Sequence, residues 1–163
     1  MNSISNSLNL ISLAKMCRKL LLCLLEQNKF DEATDVFRSM SQATRSEPLT
    51  MYLAFKLALR TGDHELASEC LERFAEQSPD DPQYLYACCL DARSVGDQVQ
   101  TVKSLNLLSA KYEFSSSSPI HFPALLRTLI RLQVKTLSNP DGADSLCRTF
   151  ERGKTPPSLT VSC

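Results

Sequence analysis

Seven cysteines and two histidines are the side chains in this chain best suited to nucleophilic or metal chemistry. The cysteines stand at positions 17, 23, 70, 88, 89, 147 and 163, with no Cys-x-x-Cys pair among them. Cys88 and Cys89 are adjacent, so on a helix their side chains diverge by about 100° and do not face one tetrahedral ion. His64 lies between Asp63 and Glu65 in a helix-starting turn, where an exposed imidazole is the expectation. His121 lies at a proline-bounded helix start, and no Ser, Cys or carboxylate is spaced to complete a catalytic constellation with it. No glycine-rich phosphate loop occurs. The residues therefore offer no catalytic set, no cofactor site and no metal site, and the chain reads as non-enzymatic. One enzymatic reading stays open: a nucleophilic cysteine, which a thiol far more reactive than the others would reveal.

The thiols carry a second message. Several fall on apolar helix faces, where a reduced cysteine packs as a small hydrophobe. An odd number of scattered cysteines favours a reducing compartment, cytosol or nucleus. Lys plus Arg and Asp plus Glu both number 18, so bulk charge gives no basis for direct nucleic-acid or membrane-surface binding. The apolar run Leu20 to Leu25 follows Lys15, Arg18 and Lys19, is too short to span a membrane, and precedes no small-residue cleavage site. The expectation is a soluble protein.

The elements that position these residues repeat. Asn28-Lys29-Phe30-Asp31-Glu32-Ala33 is echoed thirty-four residues on by Gly62-Asp63-His64-Glu65-Leu66-Ala67, and again by Gly96-Asp97-Gln98-Val99-Gln100-Thr101. The register continues through Leu20, Ala54 and Cys88, through Leu24, Ala58 and Ala92, through Phe37, Leu71 and Leu105, and through Met40, Phe74 and Leu108. Helices are predicted from about Leu8, capped by Ser7, to Gln27, then from Phe30 through Met40 and from Pro48 to Arg60. Others are predicted over His64 to Gln77, from Pro82, over Gln98 to Lys111, and from Pro119 or Pro123 to about Leu137. Ser115 to Ser118 reads as a connector open to phosphorylation, Asn139 to Gly142 as a turn, and Ala143 to Phe150 as the start of a further helix.

A thirty-four-residue period of paired helices resembles the tetratricopeptide repeat, whose hairpins bury their apolar faces only when stacked. Ala33 and Ala67 occupy the small-residue position of the second helix and Pro79 the end-of-repeat proline, although Thr101 replaces the alanine in the third unit. The fold class is thus all-α: an α-α superhelix, a tetratricopeptide-like solenoid of helical hairpins, with a generic α-solenoid as the alternative. The resemblance implies that the first helices line a groove. By register the partner-binding candidates are Arg18 and Leu22, then Tyr52, Lys56 and Arg60, then Tyr86, Leu90 and Arg93, with Leu25 and Leu59 beside them. Tyrosine and arginine are the types that anchor interfaces; the competing reading makes these ordinary inter-repeat or solvated positions. Arg127, Arg131 and Lys135 recur at i, i+4, i+8 and read first as a solvated face, with an acidic partner or DNA phosphate as the alternative.

Three ordered blocks carry a narrower likeness: Leu49 to Asp63, Tyr84 to Ala92, and Phe122 to Arg127. They resemble the fungal meiosis-specific Zip/sporulation protein family, long tetratricopeptide-like solenoids, over roughly Asn28 to Phe150. The resemblance implies a fragment of a scaffold of the synapsis-initiation complex, in the nucleus on meiotic chromosomes, promoting crossover formation and synaptonemal complex assembly. Its partners would be meiotic synapsis and recombination proteins, with no small-molecule substrate and no membrane. A tetratricopeptide adaptor in a cytosolic complex is the alternative. The expected organisation is a disordered stretch over 1–7, a repeat domain over 8–150 and a disordered polar tail over 151–163.

Overall fold

The computed structural model describes residues 3–77, 82–111, 121–135, 147–149 and 151. Among these the chain is all-α, with no strand. Its helices are α1 (Ser3–Glu26), α2 (Phe30–Ser39), α3 (Gln42–Arg45), α4 (Pro48–Thr61), α5 (His64–Gln77), α6 (Gln83–Val95), α7 (Gln98–Lys111) and α8 (Phe122–Lys135). The chain divides into two compact units, Met1–Phe74 and Ala75–Cys163. The expected serine connector, the turn at Asn139 and the polar tail beyond residue 151 lie outside the described residues.

The repeat is built at its turns. Asn28, Gly62 and Gly96 all take left-handed backbone, with φ of 58°, 72° and 80°. That conformation turns the next N–H back onto the carbonyl five residues earlier: Lys29 onto Leu24 at 2.9 Å, Asp63 onto Ala58 at 3.0 Å, and Asp97 onto Ala92 at 2.9 Å. Each bond closes the end of one helix. Asp63 and Asp97 then open the next, their Oδ1 atoms accepting from Leu66 N and Gln100 N at 3.0 Å. Lys29 makes no such side-chain cap; instead Asp31 and Glu32 occupy the first turn of α2, where the helix dipole favours them.

Three register positions flanking these turns are buried in every copy: Leu24, Ala58 and Ala92; Ala33, Ala67 and Thr101; Met40, Phe74 and Leu108. Thr101 is tolerated there because its hydroxyl donates to the Asp97 carbonyl at 2.6 Å. Leu20 departs from its register mates Ala54 and Cys88, being 49 % exposed. In the first unit α1 packs on α2 and α4, and α2 on α4. Leu21, Leu24, Ala33, Met40, Leu53 and Leu57 form that core, flanked by half-buried Phe30, Val36 and Phe37. In the second unit α6 packs on α7, and α7 on α8.

Three expectations need correction. The first helix begins at Ser3, so Ser7 lies within it and is not its cap. Helix α2 ends at Ser39, with Met40 extended. The next residues form α3, which was not expected: Ser41 Oγ accepts from Thr44 N at 3.2 Å and caps this single turn.

Candidate functional site

Helix α4 is enclosed on most of its circumference. From Thr50 to Leu59 every residue is buried except Tyr52, Lys56 and Leu59, which are half-buried. Their i, i+4, i+7 spacing places them in one stripe. The Lys56 ammonium lies 5.3 Å from the centroid of the Tyr52 ring, within reach of the ring's negative face. Arg60, exposed, continues toward the end of the helix. The stripe is thus an aromatic plate with a cation resting on it, bordered by aliphatic surface and a second cation.

On α1, Arg18 is paired with Glu47, the residue before Pro48, whose side chain does not cap α4. The Arg18 side chain is 13 % exposed and that of Glu47 47 %. This contact draws Arg18 toward the start of α4. Leu22 is 40 % exposed, and Leu25 packs against the core cluster. The first unit therefore brings Arg18, Leu22, Tyr52, Lys56 and Arg60 onto two helices in contact with each other. The second unit carries the register mates by itself: Tyr86 half-buried, Leu90 48 % exposed and Arg93 exposed, again at i, i+4, i+7 on α6. Sequence reasoning missed Glu47; it lies 29 residues from Arg18 and no local signal joins them.

The arrangement offers hydrogen bonding, cation–π contact and apolar cover. The histidines have other placements: His64 is exposed at the first position of α5, and His121 Nδ1 accepts from Ala124 N at 3.3 Å at the start of α8. Cys70, Cys88 and Cys89 are buried. Burial pushes the Cys70 thiol up to about 12, with the neighbouring Glu69 carboxylate adding to the rise. The Cys89 thiol is likewise raised by burial, against an opposing hydrogen bond with Ser104. Both stay protonated at neutral pH and make poor nucleophiles. Among the described residues no His, Cys, Asp or Glu cluster could hold a metal ion, and no helix is long and apolar enough to cross a membrane. On α8, Leu125 and Leu129 are buried, and Arg127 and Arg131 are exposed.

Residues 24–88 match the family model of the tetratricopeptide repeat. The match runs from the end of α1 into α6 and takes in the Asn28 and Gly62 turns. The chain carries a tetratricopeptide-like repeat domain. No curated protein and no solved structure matches the chain.

Proposed function

We propose that the tetratricopeptide-like domain is a non-enzymatic scaffold that holds a segment of another protein on the first-helix stripe of its first unit. The observation that carries this reading is the half-open stripe of Tyr52, Lys56 and Leu59 in the otherwise buried stretch of α4 from Thr50 to Leu59. A lone amphipathic helix leaves a broad polar arc to solvent. Here the helix keeps a narrow aromatic and cationic strip instead, of the kind that supplies interface anchors. Tyr86, Leu90 and Arg93 repeat that chemistry on α6.

The finer reading is a scaffold of the synapsis-initiation complex on meiotic chromosomes, with synapsis and recombination proteins as its partners. It rests on the likeness of Leu49 to Asp63, Tyr84 to Ala92 and Phe122 to Arg127 to the fungal meiotic family. The tetratricopeptide match supports a cytosolic adaptor equally well. Expression confined to meiotic cells with nuclear staining supports the chromosomal role; steady vegetative, cytosolic expression supports the adaptor.

The test of the scaffold itself is a photocrosslinker at position 56, followed by identification of the adduct and measurement of its affinity. Tyr52→Ala should weaken that complex by roughly 5- to 30-fold, the loss of about 1–2 kcal/mol expected of an interface anchor. Helicity should be retained. Unchanged affinity in the Tyr52→Ala, Tyr86→Ala double variant would remove this surface from the proposal.

A further inference from the structure

Helix α1 carries a second apolar face. Leu13, Met16, Leu20 and Cys23 are all exposed, Leu13 by 56 % and Met16 by 65 %. Their i, i+3, i+7, i+10 spacing sets them in one stripe about three turns long. Around the helix, exposed Lys15 and Lys19 separate this stripe from Leu22 on the groove side. An apolar stripe rimmed by charge marks a surface that another chain covers.

The repeat shows what such a face does inside the fold. Thirty-four residues on from Met16, Leu20 and Cys23 stand Thr50, Ala54 and Leu57 of α4, all buried. Leu57 lies in one buried cluster with Ala33 and Met40 of α2 and Leu21 and Leu24 of α1. Phe37 of α2 and Arg45 of α3 line a cavity of about 150 Å³ with Ala54 and Met51. The face that the preceding helices cover on α4 is therefore the one left open on α1. One position differs in kind: Leu53, in the same cluster, corresponds to Lys19. Where the internal junction has an apolar side chain, α1 has an ammonium, with Lys15 one turn before it on the same edge. Glu26 lies beyond the Cys23 end of the stripe.

The occupant thus needs apolar residues at helical spacing and carboxylates along one edge. A second copy of this chain fits poorly. Laid antiparallel across the stripe, its lysines would run along the same edge as these, like charge against like. A stable interface also takes about 20–30 residues a side, whereas the stripe is a few residues on one helix. We propose that this face of α1 docks one amphipathic helix of another protein, in the place that α2 takes on α4, with a row of carboxylates facing Lys15 and Lys19. The site is separate from the Tyr52 stripe and does not rest on it.

The probe is a capped helical peptide of three Glu-Leu-Ala-Ala-Leu-Glu-Ala repeats, added to the full chain and followed by the Met16 methyl resonance. A saturable shift is expected, with a dissociation constant on the order of 0.1 mM. The buried Met40 and Met51 methyls serve as references and should stay in place. The same peptide with lysine for every glutamate should bind at least ~10-fold more weakly. In the Lys15→Glu, Lys19→Glu double variant that preference should reverse, a readout that a purely structural role for the lysines would not give. Leu20→Asp should abolish the shift with unchanged circular dichroism, since Leu20 is already exposed. Tyr52→Ala should leave the shift intact, so failure here and failure of the stripe on α4 are told apart. Equal binding of the two peptides, or no saturable shift, would overturn the proposal. A Met16 resonance that moves on dilution of the chain alone would overturn it too, giving the face to a second copy.

Discussion

Replacing Gly62 by Ala isolates the energetics of the turn on which the repeat is built. Gly62 has φ of 72°, and a Cβ placed there meets nothing within 4 Å, so no steric clash enters the comparison. The left-handed conformation itself costs an L-residue about 1–2 kcal/mol. Alanine returns about 0.4–1 kcal/mol by restricting the unfolded chain. The expected net loss is roughly 1 kcal/mol, a urea midpoint about 0.5 M lower for a slope of about 2 kcal/mol/M. Gly62→Asn should lose less, because asparagine tolerates this region and already occupies the equivalent turn at Asn28. Asn28→Ala should lose about as much as Gly62→Ala. Far-UV circular dichroism in urea measures all three. A Gly62→Ala midpoint equal to wild type, or Asn28→Ala without effect, would refute the claim that left-handed turns close these hairpins.

Other expectations follow from single contacts. Thr50 is fully buried and its hydroxyl has no hydrogen-bond partner among the described residues, so Thr50→Val should raise stability by about 1–2 kcal/mol in the same urea assay. Asp63→Ala and Asp97→Ala each remove a capping bond and should cost about 0.5–2 kcal/mol, with faster amide exchange in the first turns of α5 and α7. In a thiol-reagent assay at pH 8, Cys23 and Cys147 should label in the native protein, while Cys70, Cys88 and Cys89 should label only on unfolding. The folded-state pKa of Cys70 lies above its ordinary value of 9.0, so the neutral thiol's contribution is complete below pH 9.0 and is lost as pH rises toward about 12. Wild type should therefore lose stability above pH 9 more steeply than Cys70→Ala.

Of the candidate site, repeat register placed Tyr52 and Lys56 on the first-helix face, but the contact between them was not foreseen, although i and i+4 are neighbours on any helix. Register likewise named Tyr86, Leu90 and Arg93, thirty-four residues on from Tyr52, Lys56 and Leu59. It did not give the Arg18–Glu47 pair or the cavity around Arg45, since both join residues far apart along the chain. Helix α3 was missed for a subtler reason. Its Ser41-x-x-Thr44 cap is a weak local signal, buried in a polar stretch that also reads as a loop.

Helix starts and stops, the thirty-four-residue register and the all-α class are properties of short segments: glycines that alone reach positive φ freely, aspartates that cap, and apolar residues at helical spacing. Such preferences act within a turn or two of backbone, so they are written into neighbouring residues. Which cation is tied to a carboxylate, which Leu is left 49 % exposed, and where a guanidinium nitrogen is buried without a partner among the described residues depend on helices meeting across the fold. Those outcomes were decided by packing, because burial and charge compensation exist only once distant surfaces touch.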